Sequence, residues 1–149
     1  MEVFIGADYK GLDKKVELAG FLIEKSYDVK EQGSEGGLNN LDFNDAAIEV
    51  AKAVRENLGS RGILICDSAH GMTMQANRFR GVRAANCGSV ESARLAREHD
   101  DANVLCLSAH FMDIEQMKQV ALAFLETNFE PLERRVRRIN RLDEREDYD

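Results

Sequence analysis

The residues best equipped for chemistry lie in two short stretches. One is Cys66-Asp67-Ser68-Ala69-His70-Gly71-Met72; the other is Gly6-Ala7-Asp8-Tyr9-Lys10-Gly11. The first sets a thiol beside a carboxylate, a hydroxyl and an imidazole. A cysteine where a strand turns into a helix faces backbone N–H groups that favour its anion, so Cys66 can act as a base or nucleophile. It can equally be the last buried residue of its strand, which is how Cys87 and Cys106 read. In the second stretch two glycines flank a carboxylate. The pattern is not GxGxxG, so a dinucleotide site has little support. Asp8 can hydrogen-bond the hydroxyls of a ligand or cap a helix. Cys66, Asp67, His70, His99 and His110 are of metal-ligating types. No two histidines are tightly spaced and there is no CxxC, so neither a metal nor any other cofactor is expected.

These stretches need elements that position them. Val3 to Ala7 is a short apolar run that predicts a buried strand, followed by helical spacing from Lys14 to Ser26. Tyr27 to Glu31 alternates weakly and predicts a second strand. Gln32 to Leu41, rich in Gly, Asn and Ser, predicts a loop, and Asp42 to Leu58 a helix. Gly62 to Cys66 is the clearest strand, continuously apolar as expected when both faces are covered. A short helix, a strand over Gly81 to Ala85, a helix over Ser89 to Glu98 and a strand over Asn103 to Leu107 follow. Ser89 and Asp113 are helix caps by type, the latter opening a helix that runs to Thr127. Pro131, the only proline, precedes an arginine-rich helix over Leu132 to Leu142.

Strands alternating with helices predict an α/β fold: a three-layer αβα, Rossmann-like arrangement around a five-stranded parallel sheet, with an added C-terminal helix. Residues 1–142 form the expected single domain and 143–149 an acidic tail. With strand order 2-1-3-4-5, the order reverses between the first and third strands, and ligands bind beyond the carboxyl ends there. That point brings Gly6 to Gly11 next to Cys66 to Gly71.

Composition narrows the function classes. A chain of 149 residues with 44% hydrophobic and 32% charged residues is of globular type. A net charge of −7 argues against a nucleic-acid partner. No apolar run approaches the roughly 20 residues of a membrane span. The start, Met1-Glu2-Val3-Phe4-Ile5, lacks the basic and apolar regions of a signal peptide. The three widely spaced cysteines read as reduced thiols, so a cytoplasmic location is expected.

Taken together, several motifs resemble the type B ribose-5-phosphate and galactose-6-phosphate isomerase family. They are Gly6-Ala7-Asp8, Gly62-Ile63-Leu64-Ile65-Cys66, Gly71-Met72, Ala76-Asn77, Gly81-Val82-Arg83-Ala84-Ala85, Ser92-Ala93-Arg94-Leu95-Ala96-Arg97-Glu98-His99 and Asp101-Ala102-Asn103-Val104-Leu105. They span nearly the whole chain in order. The resemblance implies an aldose–ketose isomerase that moves a proton between adjacent carbons of a sugar phosphate through an enediolate. Ribose 5-phosphate is the first candidate substrate. The alternatives are a galactose 6-phosphate or four-carbon sugar phosphate, or a non-catalytic subunit of a heteromer. The resemblance also implies a homodimer, or a dimer of dimers, with shared active sites. By resemblance Cys66 is the base, His99 opens the sugar ring and Ser68 assists at the ring oxygen. Backbone N–H groups of Ser68 to Gly71, including Ala69 and His70, hold the enediolate oxygens. Asp8 binds sugar hydroxyls, Phe43 packs near the sugar, and Arg135 binds phosphate. Tyr9, Asp67, Asn77, Asp100 and His110 complete the implied substrate contacts.

The helix reading places His99 at the end of the helix before the fifth strand, opposite the Cys66 end of a parallel sheet. A site using both must therefore join two copies of the chain. Departures from the family pattern cluster at the site. Asp67 and Ala69 stand where glycines are usual, Ser68 for threonine, and Phe43 for tyrosine. Tyr9 replaces a histidine, Asp100 an asparagine and His110 an arginine. Pro131 takes the place of a phosphate-binding arginine, for which Arg137, Arg138 or Arg141 can substitute. Asp67 beside Cys66 should oppose thiolate formation, since a neighbouring like charge disfavours ionisation.

Overall fold

The computed structural model describes residues 1–32 and 42–144. The elements run in the order β1 (Glu2–Ala7), α1 (Leu12–Glu24), β2 (Asp28–Glu31), α2 (Phe43–Glu56), β3 (Arg61–Cys66) and α3 (His70–Ala76). β4 (Ala84–Asn86), α4 (Val90–Asp100), β5 (Val104–Ser108), α5 (Ile114–Glu126) and α6 (Glu133–Asp143) complete the chain. Except for Gln32, the loop expected over Gln32 to Leu41 lies outside the described residues.

All sheet pairings are parallel and the strand order is β2-β1-β3-β5-β4. The expected order is corrected at one edge: β5, not β4, lies beside β3. Burial accounts for it. Val104 to Ser108 is buried at every residue, which suits a strand with neighbours on both sides, whereas Ala84-Ala85-Asn86 is short and partly exposed. The chain therefore steps past the β5 position to lay β4 at the edge, and α4 returns it to the centre. The reversal of order between β1 and β3 stays as expected. β4 also starts later than its sequence pattern indicates, because Gly81 bends the chain at φ 79° first.

Strand side chains alternate between two cores. Val3, Ile5, Ile63, Ile65, Leu105 and Leu107 pack with α1, α4 and α5 through Leu18, Leu22, Ala93, Met117 and Phe124. Phe4, Leu64, Cys66, Val104 and Cys106 face α2 and α3 through Ala46, Ala47, Val50, Ala51, Met72 and Ala76. α2 lies unusually close to the sheet. A Cβ on Gly62 would come 2.6 Å from Val50 Cγ1. Both expected caps form: Ser89 Oγ accepts from the Ser92 N–H, and Asp113 makes a full capping box with Gln116. Asp143, assigned to the tail by sequence, is the last residue of α6. Its carboxylate accepts the Gly81 N–H at 3.1 Å and pairs with Arg83 at 3.6 Å.

Candidate active site

The carboxyl ends of β1, β3 and β5 bring Asp8, Cys66-Asp67 and the Ser108 to His110 turn together. Two backbone bonds weld the β3 and β5 ends: Ala109 N–H to Cys66 O at 2.8 Å and His110 N–H to Asp67 O at 3.0 Å. Ser108 Oγ donates to the same Asp67 carbonyl at 2.6 Å and accepts the Phe111 N–H. Lys14, on α1, ties the following loop down by donating to the Ala109 and Met112 carbonyls. His110 is thus placed by backbone, although its ring is exposed.

Asp8 is 9% exposed. Its Oδ1 accepts the N–H groups of Lys10 and Gly11, both at 3.0 Å, in the turn before α1. Gly11 itself is the helix N-cap residue, so Asp8 orders the approach to the helix rather than its first turn. Burial raises the Asp8 pKa, and the Asp67 charge adds to the rise; the two N–H groups and Lys10 oppose it.

Cys66 ends β3 with 5% of its surface exposed. Burial pushes its thiol pKa up, and the charges of Asp8 and Asp67 push the same way. The Ala69 and Met72 N–H groups approach the sulfur and pull against that rise, favouring the thiolate. The other thiols differ in kind. Cys106 is wholly enclosed and its pKa is pushed up to about 12, while Cys87 is raised by burial. Cys66 alone combines a thiol with carboxylates and helix-start amides.

The turn holding those amides is unusual. Ala69 adopts φ 70° and ψ −2°, the left-handed region, at a position where the family pattern has glycine. Such a conformation costs an L-residue about 1–2 kcal/mol. Its methyl is fully buried, which returns roughly 0.8 kcal/mol. Ser68 Oγ accepts the His70 N–H at 3.4 Å. Asn86, from the end of β4, donates to Ser68 O at 3.4 Å and lies 3.3 Å from His70 Nδ1. Gly71 is fixed by contact: a Cβ there would fall 2.7 Å from the Phe43 ring, so Phe43 lies against the start of α3. Tyr9 is exposed beside Asp8.

Asp67 also acts as a bridge. Its Oδ2 is 3.7 Å from Lys10 Nζ and its Oδ1 is 3.7 Å from His110 Nδ1. The substituted positions 67 and 110 therefore meet, with Lys10 beside the other oxygen of Asp67. Sequence reasoning did not single out Lys10, Asn86 or Ser108. Lys10 had a signal, being a cation between Asp8 and Gly11; the other two had none.

The remaining expected site residues lie at the opposite edge. α3 and α4 run back toward the amino ends of the strands, which carries Asn77, His99 and Asp100 there. Asn77 spends both ends of its amide on the Ala84 backbone, donating to O at 2.9 Å and accepting from N at 2.8 Å. Asn77 and Asp100 line a cleft of about 350 Å3 with Arg80 and Leu142. His99 is 3.5 Å from Glu98 Oε1. Arg135 joins this edge, donating to Glu98 O at 3.3 Å and to Glu130 Oε2 at 3.1 Å. One chain therefore carries Cys66 with Asp8 at one end of its sheet and His99 with Arg135 at the other. Among the described residues, no group of three or more His, Cys, Asp or Glu side chains is placed to hold a metal ion.

A buried thiol and carboxylate where strand order reverses in an open parallel sheet define an α/β enzyme of the kind that works at a sheet's carboxyl edge. Comparison with known proteins makes the class specific. The family model described as ribose/galactose isomerase matches residues 3–142. A Mycoplasma genitalium protein named probable ribose-5-phosphate isomerase B is 39% identical over 141 residues, covering 94% of this chain and 92% of its own. The D-erythrulose-4-phosphate isomerase of Pectobacterium atrosepticum is 32% identical over 130 residues, covering 87% and 86%. The crystal structure of ribose-5-phosphate isomerase B from M. genitalium with bound ribulose 5-phosphate superposes with a TM-score of 0.89 at 38% identity, covering 95% of this chain and 93% of that one. The chain belongs to the ribose/galactose isomerase family.

Proposed function

We propose that this protein interconverts ribose 5-phosphate and ribulose 5-phosphate through an enediolate, at a site assembled from two copies of the chain. The observation that carries this reading is the setting of Cys66: a nearly buried thiol at the carboxyl end of β3, served by the Ala69 and Met72 amides and flanked by Asp8. In the forward step the Cys66 thiolate takes the proton from C2 of the open-chain aldose. The electron pair forms the C1–C2 double bond, and the carbonyl oxygen becomes an enediolate oxygen. The thiol then returns the proton to C1, and the C2 hydroxyl proton passes to the C1 oxygen, leaving the ketose. Ser68 and the N–H groups of the 68–71 turn stabilise the enediolate oxygens, and Asp8 fixes the sugar hydroxyls.

The second copy supplies what the Cys66 edge lacks. His99 opens the furanose ring and Arg135 holds the phosphate. The hydrogen bonds of Arg135 to Glu98 and Glu130 all use Nη1, leaving Nε and Nη2 for a bidentate grip. The family membership and the ribulose 5-phosphate-bound relative support the substrate assignment.

The test is proton exchange by NMR in heavy water, with four-, five- and six-carbon aldose and ketose phosphates. Deuterium should enter beside the carbonyl of the five-carbon pair. Cys66→Ala should lower the exchange rate by about 10²–10⁴-fold, the usual worth of a positioned base, with an unchanged circular dichroism spectrum. Full exchange in that variant would overturn the assignment of the base. Exchange confined to a four- or six-carbon sugar would overturn the assignment of the substrate.

A further inference from the structure

A second cleft, of about 490 Å3, opens at the amino edge of the sheet, between the end of α2 and the starts of β3 and β5. It is lined by Arg55, Ser60, Arg61, Arg83, Asp101 and Asp143 among others. Its charges do not balance. Asp101 is shared between Arg83 at 3.1 Å and Arg97 at 2.8 Å, and Asp143 pairs with Arg83 at 3.6 Å. Arg61 makes no ion pair among the described residues. Its Nη1 reaches only carbonyls, Ser60 O at 2.9 Å and Gly59 O at 3.4 Å. Arg55 rests on the Phe79 ring, 5.6 Å from its centroid, and likewise has no carboxylate partner among the described residues.

Two polar atoms here are orphaned. Ser60 Oγ and Arg61 Nε are buried without a hydrogen-bond partner, and Ser60 is 4% exposed. Buried polar groups are ordinarily satisfied, and a desolvated cation is ordinarily paired. Arg61 is partly desolvated; burial, Arg97 and Arg83 disfavour its charge, and the Asp101 carboxylate on the same cleft offsets part of that. An anion that accepts from a guanidinium and a hydroxyl together would satisfy both orphaned atoms.

We propose that this cleft is an anion site for a phosphate-type oxyanion, held by the Arg61 guanidinium and the Ser60 hydroxyl with Arg55 at its rim. Planar guanidinium donors match the oxygen spacing of a phosphate face, and a hydroxyl can donate to a third oxygen. Ser60 and Arg61 both line the cleft while Oγ and Nε are covered, so binding requires a turn of these side chains toward the entering anion. Asp101 and Asp143 also line the cleft, but their pairing with Arg83 and Arg97 offsets their repulsion of an entering anion. The site is independent of the isomerase reading, because none of its residues belongs to the Cys66 edge or to the His99 and Arg135 set.

The test is a titration of ¹⁵N-labelled full-length protein with inorganic phosphate, at ionic strength matched with chloride. Saturable shifts are expected for the Gly59, Ser60 and Arg61 amides and for the Arg61 Nε–H signal. A parallel titration with methyl phosphate separates the two sources of the oxyanion. Tighter binding assigns a phosphorylated metabolite, and equal or weaker binding assigns free phosphate. Arg61→Gln and, separately, Ser60→Ala should abolish or weaken these shifts by at least tenfold in apparent Kd, leaving sugar-phosphate turnover unchanged. Shifts reproduced by chloride, shifts confined to residues of the Cys66 edge, or unaltered phosphate shifts in both variants would overturn the proposal.

Discussion

Replacing Gly11 with alanine should destabilise the protein by about 2 kcal/mol, after an overpacking cost near 3 kcal/mol is partly offset in the unfolded chain. The larger figure follows from what the new methyl would meet. It would lie 2.5 Å from the Ile65 carbonyl oxygen and 2.9 Å from both the Ile65 carbonyl carbon and its Cγ2. Favourable carbon contacts begin near 3.5 Å, so the overlap is about half an ångström or more against several atoms. Two of those atoms are backbone in a central strand and cannot rotate away. Relief requires lifting the start of α1 off β3, which also strains the Lys10 and Gly11 N–H groups bonded to Asp8. Alanine gains about 0.4–1 kcal/mol by restricting the unfolded chain, which leaves a net loss near 2 kcal/mol. For a chain of this size that lowers Tm by roughly 4–8 °C. Urea unfolding followed by circular dichroism measures it. Gly20→Ala is the matched control, since a Cβ there meets nothing within 4 Å in the exposed middle of α1. That variant should gain about 0.5–1 kcal/mol. A Gly11→Ala protein within about 0.5 kcal/mol of the parent would refute the claim that this close approach holds the Asp8 turn.

Other outcomes follow from the site. Because burial and two carboxylates raise the Cys66 pKa, the thiol form prevails at neutral pH, and kcat/KM should keep climbing as pH rises past the ordinary thiol value near 8.5. Asp67→Asn removes one like charge and should move that limb to lower pH; an unmoved or flat profile would count against Cys66 as the titrating base. Mixing inactive Cys66→Ala chains with inactive His99→Ala chains should restore about a quarter of parental activity. Random pairing makes half the dimers mixed, and each mixed dimer keeps one intact site out of two. No recovery from a verified mixed dimer would place both residues in one chain's site and contradict the opposite-edge geometry.

Much of the scaffold was legible because its signals are local. Helical spacing, the Ser89 and Asp113 caps and the continuous apolar run of β3 each read out from neighbouring residues. The strand order was not, because it depends on which strand loses more by sitting at an edge. Ala84-Ala85-Asn86 gives no periodic cue to its length or rank. The site was legible by residue type and not by assembly. Cys66 and Asp8 are candidates by residue type and Ser68 by family resemblance, and the helix-end position of His99 requires two copies if it shares a site with Cys66. The bridge from Lys10 through Asp67 to His110 joins three separate loops, so no spacing reveals it. Ala69 hides in the same way, since nothing in its side chain signals a positive φ. Asn77 enters as a substrate contact by family resemblance alone; in the fold its amide holds the Ala84 backbone.

The two outer strands bear on how copies of this chain can associate. β2 reads Asp28-Val29-Lys30-Glu31 and is mostly exposed and charged, while β4 has three residues. Charged or very short margins are poor templates for another chain's backbone. Pairing of copies through a continuous intermolecular sheet is therefore disfavoured, and so is the runaway strand addition that leads to fibrils. Association is left to helix faces and side chains, by which the proposed two-copy site would form without merging the sheets.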